Sequence, residues 1–466
     1  MAEGRVLRLV NGAGMEHLET FRSSACGRKW TAAGAVAATS VLGRDDASTL
    51  LEDPRLAGLY ASAAATAVVE HERIPFPSFP YEWPPEMLHA AAQLTLDLAI
   101  DLLAENLGLK DATPYNVLFR GPQPVFIDLL SFERREPGDP TWLPYAQFVR
   151  TFLLPLLVNR RFGFPLDQLL LPRRDGLEPE EVYRWLGLLE RLRPPYLSLV
   201  TLPVWLAARR RDDRSIYRPK RLADPERARF IVQSLMRGLA RRVASLAPPA
   251  GRASAWSGYM DSGNNYSAAQ FAAKESFVRR CLDEFAPRSA LDVGSNTGHF
   301  SLLAAGAGAR VVAIDSDPVV TGGVWRQARA ANLDVLPLVV NLTRPTPGTG
   351  WNNRECPSFL DRARGSFDAV FMLAVIHHML VTERVPLDEI ADLAAALTSR
   401  LLVIEFVAPG DSMFQRLVRG REELHQGLTA AVFETSFRRL FDIVRSQHLE
   451  GASRTLYLMQ RKEKHG

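Results

Sequence analysis

The chain has 466 residues, too many for one ordinary hydrophobic core, so two domains are expected. Apolar residues make up 47% and charged residues 23%, and 56 basic against 52 acidic side chains leave a net charge of +4, which gives no argument for a nucleic-acid partner. Cys26, Cys281 and Cys356 are odd in number and far apart, which excludes a disulfide framework and a zinc site and points to a reducing, cytoplasmic compartment.

No apolar run reaches membrane-spanning length: Phe152 to Val158 is too short, and Ala32 to Leu42 is interrupted by Gly34, Thr39 and Ser40. The opening MAEGRVLRLV lacks signal architecture, so neither secretion nor a membrane partner is expected. A strand is expected at Val6 to Val10 and an Ala-rich helix from Leu56 to Val69. The five prolines of HERIPFPSFPYEWPPEM force an extended segment, after which Glu86 to Leu107 has the broad apolar face of a helix.

That helix leads into LKDATPYNVLFRGPQPVFIDLLSFE. Asp111 and Asn116 are five apart, and Asp128 ends a strand that follows a Gly-Pro turn. An Asp there could orient a hydroxyl while Asn and a second Asp hold Mg²⁺. Over about Arg73 to Glu133 the order helix, Asp-x-x-x-x-Asn loop, hairpin, Asp resembles kinase-like phosphotransferases. Lys110 replaces the protein-kinase Arg, Leu129-Leu130 replace Phe-Gly, and nothing before residue 70 reads as a glycine-rich phosphate loop. Two readings follow: a scaffold tied together by Asp111, Asn116 and Asp128, or active phosphotransfer through the same three residues.

Helices are expected at Trp142 to Val158, Pro179 to Leu192, Tyr196 to Arg210 and Pro225 to Leu246, with Pro179 and Pro225 at first helical positions. The aromatic stripe of Trp142, Tyr145, Phe148 and Phe152 reads as core. The basic run Arg209 to Arg221 reads as a solvated helix face and its connection, with a polyanion patch as the other reading. Ala247 to Ser257, APPAGRASAWS, is the expected linker, dividing the chain into 1–247 and 256–466.

Ser267 is an expected N-cap for the helix carrying Phe271, Lys274, Phe277 and Val278. Ser289 to Pro318 then reads as a βαβ unit: a buried strand (Ala290 to Val293), a glycine turn (Gly294 to Gly298), a helix (His299 to Ala307) and a second apolar strand (Arg310 to Ile314) closed by Asp315. A ligand of such a unit lies at the carboxyl ends of the strands. Asn296 stands where a dinucleotide turn has its second glycine, so the loop is tight but poorly shaped for a phosphate. S-adenosylmethionine has no phosphate. Asp292 suits its ammonium, and Asp315, 17 residues after Gly298, suits a bidentate grip on its ribose hydroxyls.

The combination of Asp292, Gly294, Asn296, Gly298 and Asp315 resembles class I S-adenosylmethionine-dependent methyltransferases, over roughly Trp256 to Arg461. The resemblance implies an α/β architecture, a Rossmann-like seven-stranded sheet, here preceded by a mainly helical α+β kinase-like domain. It places Tyr266 and Lys274 over the methionine end of the donor, and Asn341, after a third strand at Val335 to Val340, against the adenine. The fourth strand, Phe367 to Val375, ends at Ile376-His377-His378, so the histidines face the methyl group; a base role is slightly favoured for His377, with a capping or core role open for either. Glu405, near the end of the fifth strand (Leu401 to Phe406), and Asp411 beyond it are expected at the mouth, and no metal is expected. Helices at 413–426 and Ala431 to Phe441 are expected to lead into a closing hairpin, Asp442 to Gln447 with Thr455 to Arg461. Over nearly its whole length the chain is similar to bacterial nodulation-protein-like methyltransferases, which implies a small-molecule or carbohydrate-like acceptor.

Overall fold

A computed structural model of the chain describes residues 4–209, 221–251, 253–254, 266–420 and 422–463. The greater part of the basic run Arg209 to Arg221, and residues 252 and 255–257 of the expected linker, lie outside the described residues. The chain forms two compact units, Met1–Tyr81 with Pro85–Pro248, and Glu82–Pro84 with Pro249–Gly466.

In the first unit, β1 (Val6–Asn11), β2 (Thr39–Val41) and β3 (Ala65–His71) make an antiparallel sheet in the order β1-β3-β2. The Ala-rich stretch expected to be one helix is split: Pro54–Ser62 is helical, and β3 follows a left-handed turn at Ala64 (φ 46°). The reason is composition, because Thr66, Val68 and Val69 favour a pleated surface over a helix. The helix Pro85–Ala104 has the length and apolarity to cross a membrane, which corrects the expectation that no run does; most of it is buried inside this unit. Beyond it, β4 (Leu107–Leu109) pairs with β7 (Phe132–Arg134), and β5 (Val117–Arg120) forms a hairpin with β6 (Gln123–Phe126). Of the later helices, Pro225–Ser245 runs as expected to within one residue and Leu154–Phe162 runs past Val158, whereas Pro179–Trp185 ends well before Leu192.

The second unit is built on one mixed sheet of seven strands. These are β8 (Ser289–Val293), β9 (Arg310–Asp315), β10 (Val335–Val339), β11 (Phe367–Met372), β12 (Thr398–Val407), β13 (Phe441–His448) and β14 (Arg454–Arg461). Their order is β10-β9-β8-β11-β12-β14-β13. The first five are parallel, and β14 inserts antiparallel between β12 and β13. Continuous apolar runs such as Leu401–Ile404 are buried because helices cover the sheet. The chain order reverses between β8 and β11, and a crevice opens there at the carboxyl ends of the strands. Glu82 belongs to this unit, where its carboxylate is fully buried, ion-paired with Arg362 and hydrogen-bonded by Thr346.

Two element boundaries change the reading of the site. The fourth strand stops at Met372, and Ile376–Val381 is a helix, so His377 and His378 sit on a first helical turn and not at a strand end. Ala374 at φ 58° breaks the strand, a conformation that costs a residue with a Cβ about 1 kcal/mol or more. The helix expected at 413–426 is likewise Ser412–Val418 followed by a separate turn, Glu422–His425.

Candidate functional site

The crevice at the switch point is a cavity of about 280 Å³, close to the lower bound of about 300 Å³ for small-molecule pockets. Its floor is the turn after β8. Gly294 and Ser295 both donate backbone N–H to the Ile314 carbonyl, and Gly298 N–H donates to the Ser295 carbonyl. Gly294, Asn296 and Gly298 have φ of 68°, 49° and 81°, left-handed values that glycine adopts freely and asparagine tolerates. Gly298 does not line the cavity. A Cβ there would lie 2.7 Å from Val324 Cγ2, so its part is to let the turn close against the helix Pro318–Ala331.

Asp315 faces the cavity from the end of β9. Its Oδ2 accepts the Asn296 backbone N–H at 2.9 Å, and its Oδ1 accepts that of Asp317 at 2.9 Å. One bond on each oxygen fixes the carboxylate and leaves lone pairs on both. Burial raises its pKa, against the pull of those N–H groups. Asp292, on β8, accepts a 2.5 Å hydrogen bond from Ser301 Oγ on the helix His299–Gly306, and burial pushes its pKa up to about 6. Ser295 Oγ and Asn296 Oδ1, on the same wall, are buried with no hydrogen-bond partner in the protein.

The helix Ala268–Phe285 supplies the opposite wall. Ser267 caps it, with Gln270 completing a capping box, and the first two turns bring Phe271 and Lys274 to the cavity. Lys274 Nζ lies 2.7 Å from Glu405 Oε2 and 3.1 Å from Tyr266 Oη, and 5.2 Å from the Phe300 ring centroid. Burial pulls the lysine pKa down, with Glu405 opposing it.

Glu405 and Asp411 are not at the mouth. Glu405 is fully buried between Lys274 and Arg454, and Asp411 binds Arg454 in a fork, at 2.8 Å to Nε and 3.0 Å to Nη2. Arg454, at the start of β14, also stacks over Tyr266 with its guanidinium carbon 4.4 Å from the ring centroid. It was invisible in the sequence because its partners are 43 and 49 residues upstream (454 − 411 and 454 − 405). The only signal was an arginine opening a run, RTLYLMQR, that is otherwise mostly apolar.

The remaining sequence-expected residues divide. Asn341 lines the cavity, but its Oδ1 already accepts from Thr343 N and Thr343 Oγ1, at 2.9 and 2.6 Å. With its oxygen so engaged, the amide has its NH₂ to offer a ligand. His378 lines the cavity beside Thr382 and Glu383, whereas His377 is 2% exposed, points away, and leaves Nδ1 buried without a partner. Burial pulls the pKa of His377 down to about 2 and lowers that of His378 as well. The helical turn can aim only one of two consecutive side chains at a given spot, and it brings His378, not the slightly favoured His377, to the cavity.

Asp111, Asn116 and Asp128 lie in the first unit. Asp128 Oδ1 is ion-paired with Arg8 Nη1 at 2.8 Å, and Asn116 Nδ2 is buried without a hydrogen-bond partner. The Asp111 backbone N–H donates to Ser131 Oγ.

A seven-stranded mixed sheet with a glycine turn after its first strand and an acid ending its second defines a methyltransferase-like α/β fold, and a family model described as a methyltransferase domain matches residues 266–443. The chain is 30% identical over 416 residues to nodulation protein NoeA of Rhizobium meliloti (strain 1021), covering 88% of this chain and 85% of that protein, and it belongs to that family. Among solved structures, the N-methyltransferase NodS from Bradyrhizobium japonicum WM9, in complex with S-adenosyl-L-homocysteine, is 14% identical over 42% of this chain and 88% of its own, with a TM-score of 0.32. The bifunctional kinase-methyltransferase WbdD is 16% identical over 43% of this chain and 41% of its own, also with a TM-score of 0.32.

Proposed function

We propose that the cavity of the second unit holds S-adenosylmethionine and that the chain transfers its methyl group to an oxygen or nitrogen of a small-molecule or carbohydrate-like acceptor. The observation that carries this reading is Asp315: a carboxylate held by two backbone N–H groups, turned into the cavity, with a lone pair left on each oxygen for a pair of vicinal hydroxyls. Ser295 Oγ and Asn296 Oδ1, buried and partnerless on the same wall, fit a polar ligand and would be costly beside an empty apolar space.

The bound donor supplies an electrophilic sulfonium methyl. Asp292 would face the ammonium of its amino-acid end, and Lys274, kept near Tyr266 and Glu405, would face the carboxylate. Asn341 would donate its NH₂ to the adenine edge. His378 would accept the acceptor's proton, because its lowered pKa keeps the imidazole neutral near pH 7. Alignment within the cavity would supply most of the rate, with the base as a secondary aid.

For the first unit the kinase-like stretch is proposed as scaffold. Arg8 neutralises the carboxylate of Asp128 that a Mg²⁺ ion would need, and this favours structure over phosphotransfer. The acceptor is tested with methyl-labelled donor incubated with fractionated cell extract, followed by mass identification of the tagged product. Label in a low-molecular-weight or glycan fraction is expected; label only in protein or nucleic acid would overturn the acceptor class.

A further inference from the structure

Four charged side chains of the second unit are buried together: Lys274, Glu405, Asp411 and Arg454, at 3%, 0%, 7% and 1% exposure. They come from the helix Ala268–Phe285, from β12, from the loop beyond β12 and from β14, so the fold gathers them from separate parts of the chain. Charged residues are seldom buried so completely unless paired. A buried ion cluster is also weak support for a fold, because well-packed apolar residues of similar volume serve as well or better. Stability therefore gives no reason for the cluster. Its place does, since of the four only Lys274 lines the cavity.

The partners share out the lysine's hydrogen bonds. An ammonium has three protons to donate. Glu405 Oε2 takes one at 2.7 Å and Tyr266 Oη a second at 3.1 Å, and among the described residues no acceptor takes the third. Tyr266 Oη in turn donates to Glu405 Oε1, so both oxygens of the glutamate are engaged. The Tyr266 ring lies 4.7 Å from Lys274 Nζ and 4.4 Å from the guanidinium carbon of Arg454, so two cations hold it. Arg454 is itself fixed by the Asp411 fork, and its Nη1, which makes no hydrogen bond, lies 3.7 Å from Glu405 Oε1.

The cluster sets two cations against two carboxylates. Without Arg454 both carboxylates would face Lys274 alone, and an anion arriving at the lysine would meet the uncompensated charge of Glu405. We infer that Glu405, Asp411 and Arg454 are positioning residues for the donor. They hold Lys274 so that its third proton and its charge are left for the carboxylate of the donor's amino-acid end, although none of the three lines the cavity. The inference rests on reading the cavity as the S-adenosylmethionine site, and it makes recognition of that carboxylate depend on residues behind the wall.

The test is calorimetric titration of the full chain with two ligands. S-adenosylhomocysteine carries the amino-acid end, and 5′-methylthioadenosine keeps the adenosine and sulfur but lacks it. Wild type is expected to bind the first more tightly by about tenfold or more, the worth of one charge-assisted hydrogen bond. Arg454→Met should weaken S-adenosylhomocysteine by about tenfold and leave methylthioadenosine within about twofold. Arg454→Lys, which keeps a charge beside Glu405, should recover most of that loss. Tyr266→Phe keeps the ring and removes one link, so it serves even where Arg454→Met does not fold; a loss of about threefold or more, confined to S-adenosylhomocysteine, is expected. Equal weakening of both ligands in these variants, or no change in either, would overturn the inference while leaving the donor reading in place, and so would a wild type that binds the two ligands equally. A wild type that binds neither ligand would overturn both.

Discussion

Asp315 and Asp128 look alike in the sequence, each an acid at the end of an apolar strand, yet they stand in opposite conditions. Asp315 is held by two neutral backbone N–H groups, so it stays rigid while keeping acceptor capacity directed at a cavity. Asp128 is met by the full charge of Arg8, and its acceptor capacity is partly spent inside the protein. A carboxylate oriented by dipoles remains open to a partner, and one neutralised by a cation has already found its own.

The sharpest break of that contrast is Asp315→Ala. Loss of two charge-assisted hydrogen bonds, at about 1.5 kcal/mol or more each, should weaken donor binding by roughly 100-fold in calorimetry. Asp111→Ala should leave it unchanged, and equal affinity of wild type and the Asp315 variant would remove the ribose assignment. Next is His378→Ala, expected to lower kcat by about 100-fold at unchanged donor affinity, which single-turnover kinetics would separate. An equal loss in both quantities would make His378 a binding residue.

His377 sharpens the picture through pH. Its folded pKa of about 2 lies below the ordinary 6.5, so the unfolded chain binds the extra proton and stability falls as pH drops from about 6.5 toward 2. The slope reaches at most about 1.4 kcal/mol per pH unit. Asp292, raised from 3.8 to about 6, works in the other direction, its contribution falling as pH rises between those values. Denaturant melts of wild type and His377→Leu isolate the histidine, because the Asp292 effect cancels in the difference; parallel profiles would mean His377 is not buried neutral. Smallest is Arg8→Ala. With the arginine 40% and the aspartate 27% exposed, the ion pair is worth no more than about 1 kcal/mol, so a small drop in melting temperature is expected, with no change in donor affinity.

The turn that floors the cavity was legible because it is local: Asp292, Gly294, Asn296 and Asp315 lie within two dozen residues, and strand periodicity places them together. The parallel strands were legible from the same apolar runs, and the closing hairpin from the family resemblance, but the order of the strands was not. What escaped depends on contacts remote in the chain. Arg454 with Asp411 and Glu405 needs β14 laid beside β12, which no periodicity announces. The exchange of His377 for His378 turned on Ala374, since an alanine in a left-handed conformation leaves no trace in composition. The stretch Ala65 to Val69 was misread as helix because alanine is common in both states and only the packed sheet settles the choice.

Glu82 gives the second unit a genealogy at odds with its map. A gene fragment starting at residue 249 would encode every strand of the methyltransferase sheet and still omit the carboxylate that sits against Arg362. During synthesis that glutamate leaves the ribosome well over a hundred residues ahead of its partner. The unit is thus assembled from two separated stretches of the message, and a tidy cut between halves would yield a protein with a missing stitch.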